Sequence, residues 1–199
     1  MEALTRVQVG LVRLSAAIAG GGAGDVTREA KAARADGAPL EYLYEAVLQS
    51  YLFVGFPRTI EAFFAVAPLL SERGARAKPP ADPERWRRDG EALCRLVYGR
   101  NYEKLVNVIQ DLSPDLAESM ILEGYGKTLS RPGLKPVERE YAVVAILTVT
   151  RMWRQLRSHA IGAIHVGGTR AAVKESIALC EPWCDEAALR EATSVTGLL

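Results

Sequence analysis

Between Tyr141 and Val149 the chain reads YAVVAILTV, a run without a single charge. A segment apolar on every side has to be covered on every side, so the rest of the chain must build a core around it. It is far short of the roughly 20 residues that span a bilayer. Its β-branched residues would tolerate a strand. Pro136, however, suits a first helical turn, the flanking patterns are helical, and no second convincing strand exists to pair with it. The segment therefore reads as a buried helix, and the fold class as all-α.

Apolar spacing marks the other helices. PLEYLYEAVLQSYLFV sets Leu40, Leu43, Tyr44, Val47, Leu48 and Tyr51 at three- and four-residue spacing, as on one helix face. PRTIEAFFAVAPLL opens on Pro57 and continues as another helix. The stretch SERGARAKPPADPER, 71–85, is rich in Pro, Gly and charge and reads as a linker. Beyond it, WRRDGEALCRLVYG and NYEKLVNVIQDL are helical with a break at Gly99. SPDLAESMILEGYG offers Ser113 as an N-cap and a glycine stop near Gly124 or Gly126.

A repeat runs through the chain at one fixed offset, with AKAARADGAPLEYLYEAV (30–47) aligned on AIGAIHVGGTRAAVKESI (160–177). Ala30 matches Ala160, Ala33 matches Ala163, Gly37 matches Gly167 and Glu45 matches Glu175. A duplicated helical unit is expected, with chance likeness of two Ala-rich helices as the alternative. The chain then divides into a degenerate first repeat, 1–75, a linker, 76–84, and a second repeat, 85–199, that carries the candidate site.

Bulk composition narrows the function classes. The 199 residues carry 25 basic and 24 acidic side chains, a formal charge of +1, which gives no electrostatic case for nucleic acid. Arg85, Arg87 and Arg88 read as a solvated helix face. MEALTRVQVGLVRLSAAIAG reads as an amphipathic helix rather than a leader, and no membrane segment is expected. Three cysteines, none in a C-x-x-C pair, fit a reducing, cytoplasmic setting.

The chain has two histidines, His159 and His165, both in RMWRQLRSHAIGAIHVGGTR. Met152, Gln155 and His159 fall at i, i+3 and i+7 on one helix face. Glu140 stands upstream of them, in the first turn of the apolar helix, and a short turn near Thr150–Arg151 would bring it back to His159. A carboxylate that orients an imidazole makes a proton-transfer pair. The bland alternative is a core histidine, with the glutamate serving the helix dipole. His165 reads as the exposed end of the same helix.

The stretch GYGKTLSRPGLKPVEREYAVVAILTVTRMWRQLRSHAIGAIHVGGTRAAVKESI, 124–177, resembles the carboxymuconolactone decarboxylase family, related to the alkylhydroperoxidase D group. LVYGRNYEKLVNVIQDLSPDL is similar to that family's upstream helices, and AVLQSYLFVGFPRTIEAF to the segment after its glycine turn. The resemblance implies that Glu140 and His159 are site residues. Peroxidase members carry a C-x-x-C pair at the positions of Met152 and Gln155, and these two side chains supply no thiolate. Decarboxylase members lack that pair and carry a Gln-Leu before the histidine, as Gln155–Leu156 does here, and need no cofactor.

The leading expectation is therefore a cofactor-free, metal-free decarboxylase-like enzyme acting on a small carboxylated lactone or similar acid. His159 would be the acid–base residue, Glu140 its orienting partner, Gln155 and Met152 substrate neighbours, and Arg131 or Arg139 a carboxylate binder unless surface salt bridges claim them. One rival is an alkylhydroperoxidase-like antioxidant enzyme using Cys180 and Cys184, which are four apart around Pro182; Cys94 reads as a buried apolar residue. Another is a non-catalytic helical oligomer. At the repeat offset Glu140 corresponds to Gly10, His159 to Glu29, Met152 to Gly22 and Gln155 to Asp25. The first copy is thus expected to be structural, giving apolar wall from Phe53, Phe56 and Phe64. The resemblance also implies a homo-oligomer, a trimer or hexamer, joined through Ala160–Ala163 or YLFVGF.

Overall fold

The structure, a computed structural model, describes residues 3–71 and 81–197, and no strand occurs among them. Helices α1 (Arg6–Gly20), α2 (Ala23–Ala35), α3 (Leu40–Gln49) and α4 (Tyr51–Leu70) form the first half. Helices α5 (Pro83–Tyr98), α6 (Tyr102–Leu112) and α7 (Pro114–Ser119) and a π-helical stretch, Met120–Leu129, lead to α8 (Pro136–Val149), α9 (Trp153–His165), α10 (Arg170–Ala178) and α11 (Glu186–Thr196). Side chains start these helices: Thr5 and Gln8 form a reciprocal cap on α1, and Ser113 accepts from the Leu116 amide at 3.2 Å on α7.

The repeat is built in three dimensions. α1 and α8 start at Arg6 and Pro136, α2 and α9 at Ala23 and Trp153, α3 and α10 at Leu40 and Arg170, so every start is displaced by the same interval that relates the two sequences. The α2 and α9 ends close alike: Gly37 (φ 92°) and Gly167 (φ 97°) turn the chain. The Ala38 amide bonds the Ala33 carbonyl at 2.9 Å, and the Gly168 amide bonds that of Ala163 at 2.8 Å. Three helices and a turn in one register are a duplicated unit.

The two halves share their interior. Leu4, Val12 and Ala16 belong to one apolar cluster with Val143, Val144, Leu156, Val173 and Ile177. As its sequence requires, α8 is enclosed: Ala142 through Ile146 have no exposure and Tyr141 only 4%. The matched glutamates bind across the halves. Glu45 of α3 takes the guanidinium groups of Arg131 and Arg139, at the entry to α8. Glu175 of α10 accepts the Ala3 and Leu4 amides at 2.9 and 3.0 Å, at the entry to α1. Each half's third helix thus holds the lead-in to the other half's first.

Three features differ from expectation. Residues 72–80 of the proposed linker lie outside the described residues, and α5 already begins at Pro83 behind an Asp82 cap, within the 76–84 boundary. Gly124 and Gly126 do not stop a helix but lie inside the π-helical stretch. Gly126 sits where backbones touch: a methyl on it would run into the Trp86 carbonyl oxygen, and one on Gly90 into that of Ile121. Finally, α4 is long and apolar enough by length and composition to cross a bilayer, where no membrane segment was expected. It breaks at Gly55 (φ 76°), buries Thr59, Ala62 and Val66, and ties Arg58 to the Ile18 and Ala19 carbonyls at 3.2 and 2.8 Å.

Candidate functional site

Glu140 and His159 meet inside the fold. A short turn through Thr150, Arg151 (φ 57°) and Met152 sends α9 back along α8. Glu140 lies in the second turn of α8; the first-turn carboxylate is Glu138, which caps the Lys135 amide at 3.0 Å. His159 Nδ1 donates to Glu140 Oε2 at 2.8 Å, and the two residues are 5% and 3% exposed. Gly162 makes room for the pair, since a methyl there would lie 3.2 Å from Glu140 Oε2 and 2.6 Å from Val97 Cγ1. The buried, unpaired polar side-chain atoms among the described residues are Ser15 Oγ and Arg139 Nε. His159 Nε2 has no partner among the described residues and is not one of these sealed atoms, so it keeps contact with solvent. One nitrogen is held and the other is available, an arrangement that can pass a proton.

Aromatic rings frame that imidazole. Phe53 stands edge-on at 5.8 Å between ring centroids and Tyr98 at 6.2 Å, both half-buried. Tyr98 in turn meets Tyr125 of the π-helical stretch at 6.2 Å. Burial pushes the Tyr98 phenol up to about 12, the Tyr125 hydroxyl pulling back and the Glu140 charge adding. Burial also raises Tyr125 well above its usual range and, with the Glu140 charge, lifts the Cys94 thiol to about 12. Glu140 is therefore the charge around which three protonated groups and His159 are gathered.

The remaining candidates fall elsewhere. Met152 caps α9 and is 51% exposed, and Gln155 is exposed in the first turn. The buried face of α9 runs through Leu156, His159, Ala160 and Ala163, a rotation that leaves Gln155 at its solvent edge. Arg131 and Arg139 are not free carboxylate binders: a protein carboxylate occupies them. Arg131 is bidentate on Glu45 at 2.9–3.1 Å; Arg139, 2% exposed, reaches Glu45 at 2.9 Å and Gln49 at 3.0 Å. His165 is the exposed helix end expected, and its Nδ1 bonds the Val97 carbonyl at 2.8 Å, docking the end of α5 on α9. Cys180 is buried, with its thiol on the Ser176 carbonyl at 3.3 Å, and burial raises both it and Cys184. Phe56 and Phe64 face outward at 67% and 70% exposure, so of the three phenylalanines only Phe53 reaches the site.

The first copy fills the same positions with packing. A methyl on Gly10 would stand 2.7 Å from Ala33 Cβ, so the space of Glu140 is closed by helix contact. Glu29, at the place of His159, takes Arg13 at 2.8 Å and Arg28 at 3.0 Å. Two surface clefts, one along Arg87, Arg88 and Arg95 and one between Gly21–Ala23 and Pro57–Ala62, touch neither Glu140 nor His159. Sequence reasoning missed Tyr98 and met Tyr125 only inside the Gly-Tyr-Gly of the family resemblance, without a role. It noted Glu45 only through its match to Glu175.

Residues 114–197 match the family model described as the carboxymuconolactone decarboxylase family. Among curated proteins, the chain is similar to Peroxisomal protein 2 of Schizosaccharomyces pombe, 33% identical over 136 residues, or 66% of this chain and 63% of that protein. The match thus spans less than two thirds of that relative's length.

Proposed function

We propose that this chain, whose residues 114–197 match the carboxymuconolactone decarboxylase family model, is an acid–base enzyme that removes CO2 from a small carboxylated lactone or similar acid without a cofactor. The observation that carries this reading is the 2.8 Å bond from His159 Nδ1 to Glu140, which leaves Nε2 open. In the protonated imidazole both nitrogens donate, and the Glu140 carboxylate balances the added charge. As the bond to the carboxylate carbon breaks, its electron pair moves onto an adjacent carbonyl and CO2 leaves. Nε2 then delivers its proton to the carbon that carried the carboxylate, and the pair returns from the carbonyl oxygen to form the new C–H bond.

The thiol reading has weaker support. Met152 and Gln155 occupy the positions of the thiol pair, and burial raises Cys94, Cys180 and Cys184 away from the thiolate form that attacks peroxide. A panel of carboxylated lactones assayed for CO2 release, before and after iodoacetamide, separates the two. The expected result is release that alkylation leaves intact. Release by no acid of the panel would overturn the decarboxylase reading, and peroxide reduction lost on alkylation would replace it with the thiol one.

The expected self-assembly is also proposed, on a narrower surface. Ala160, Gly162 and Ala163 are buried within the chain, so they offer nothing to a second copy. Phe56, Ile60 and Phe64, at four-residue spacing, expose an apolar stripe on α4. Light scattering at micromolar concentration is expected to report a multiple of 21.7 kDa, a trimer or hexamer, and Phe64→Glu to lower it. A monomeric wild-type protein would rule the assembly out.

A further inference from the structure

Tyr98 is positioned more firmly than a wall residue needs. It ends α5, directly before Gly99 turns the chain at φ 54°. The preceding Val97 is locked twice, by His165 on its carbonyl and by Gly162 beneath its side chain. The Tyr98 ring stands at 69° to the imidazole, 6.2 Å away, and its hydroxyl is hydrogen-bonded to that of the more deeply buried Tyr125. Among the described residues no hydrogen bond joins Tyr98 to Glu140, whose Oε2 is taken by His159. The nearby guanidinium groups of Arg131 and Arg139 are taken by Glu45, so no charged donor from that network serves a bound anion.

We propose that Tyr98 is a catalytic residue of the site, its hydroxyl donating to the substrate oxygen that becomes negative while His159 Nε2 handles the proton at the neighbouring carbon, with Tyr125 as the positioning residue behind it. The assignment rests on the acid–base reading of His159. A neutral phenol aimed at developing charge stabilises it without holding a ground-state carboxylate by charge. The substrate class follows: an acid whose leaving carboxylate is borne by a carbon next to a carbonyl able to take the electron pair, such as a carboxylated lactone or a β-keto acid. Nothing is oxidised or reduced.

The test uses 4-nitrophenol, whose anion alone is yellow, as a stand-in for the oxyanion. At mildly acidic pH the full-length protein is expected to bind it and raise its ionised fraction. Tyr98→Phe keeps the ring and is expected to weaken anion binding about 10- to 100-fold, as for a lost hydrogen bond to a charged group; Tyr125→Phe should weaken it less, with both variants melting as wild type. On any acid of the panel that responds, Tyr98→Phe should lower kcat about 10²–10³-fold and change KM far less. Wild-type-like probe binding by Tyr98→Phe, or no probe binding by the wild type, overturns the assignment. Probe binding that depends on Tyr98, together with no CO2 release from any acid, would instead retain Tyr98 as an oxyanion donor and reject decarboxylation.

Discussion

Replacing His159 with glutamine is expected to lower turnover about 10²–10⁴-fold, the range for loss of a positioned general acid or base. Glutamine retains a donor for Glu140 Oε2, so the change in stability should stay under about 2 kcal/mol. The bond to replace is the one at 2.8 Å from Nδ1. Glu140→Gln is expected to cost less activity, because an amide oxygen still accepts from Nδ1 and only the balancing charge is lost. Steady-state rates with melting curves decide between the roles. A His159→Gln protein that is fully active, or one that unfolds, would make the histidine a core residue with a satisfied hydrogen bond.

Glu45→Ala is expected to cost about 3–5 kcal/mol, the usual result of stripping one partner from a buried ion pair. For a chain of this size that lowers the melting temperature by roughly 6–20 °C. The reason is the group left behind: Arg139 is 2% exposed, already has one unpaired nitrogen, and would face Arg131 with no carboxylate between them. The pseudo-equivalent Glu175→Ala removes an acceptor from two backbone amides near the surface and strands no charge, so about 1–2 kcal/mol is expected. Equal losses for the two variants would refute the asymmetry. Activity should also fall in Glu45→Ala, because Arg139 precedes Glu140 and its carbonyl is held by Gln49 at 3.3 Å.

What could be read from the sequence was what local physics dictates. An uncharged run such as Tyr141–Val149 has one way to be covered, and Ser113 and Pro136 mark helix starts by their own chemistry. The offset between the two copies carried over unchanged because a repeat preserves helix phase and the Gly37 and Gly167 turns. The Glu140–His159 contact was within reach too, since two helices joined by a tight turn bring fixed positions together.

Tertiary structure decided which way each face pointed and which charges met. Gln155 and His159 share one side of α9, yet the packing of Leu156, Ala160 and Ala163 rotates Gln155 into solvent, a difference in helix rotation that spacing does not resolve. Arg131 and Arg139 looked available because their partner, Glu45, lies 86 and 94 residues away in the chain. Gly124 and Gly126 resembled a helix stop because glycine's lack of a side chain serves termination and close backbone contact alike, and only Trp86 on α5, packed against Gly126, shows which applies. Tyr98 and Tyr125 come together from α5 and the π-helical stretch, a contact that no local spacing signals. Helices and their phase follow from interactions within a few residues, whereas ion-pair partners and the orientation of a site depend on contacts that exist only once distant segments have packed.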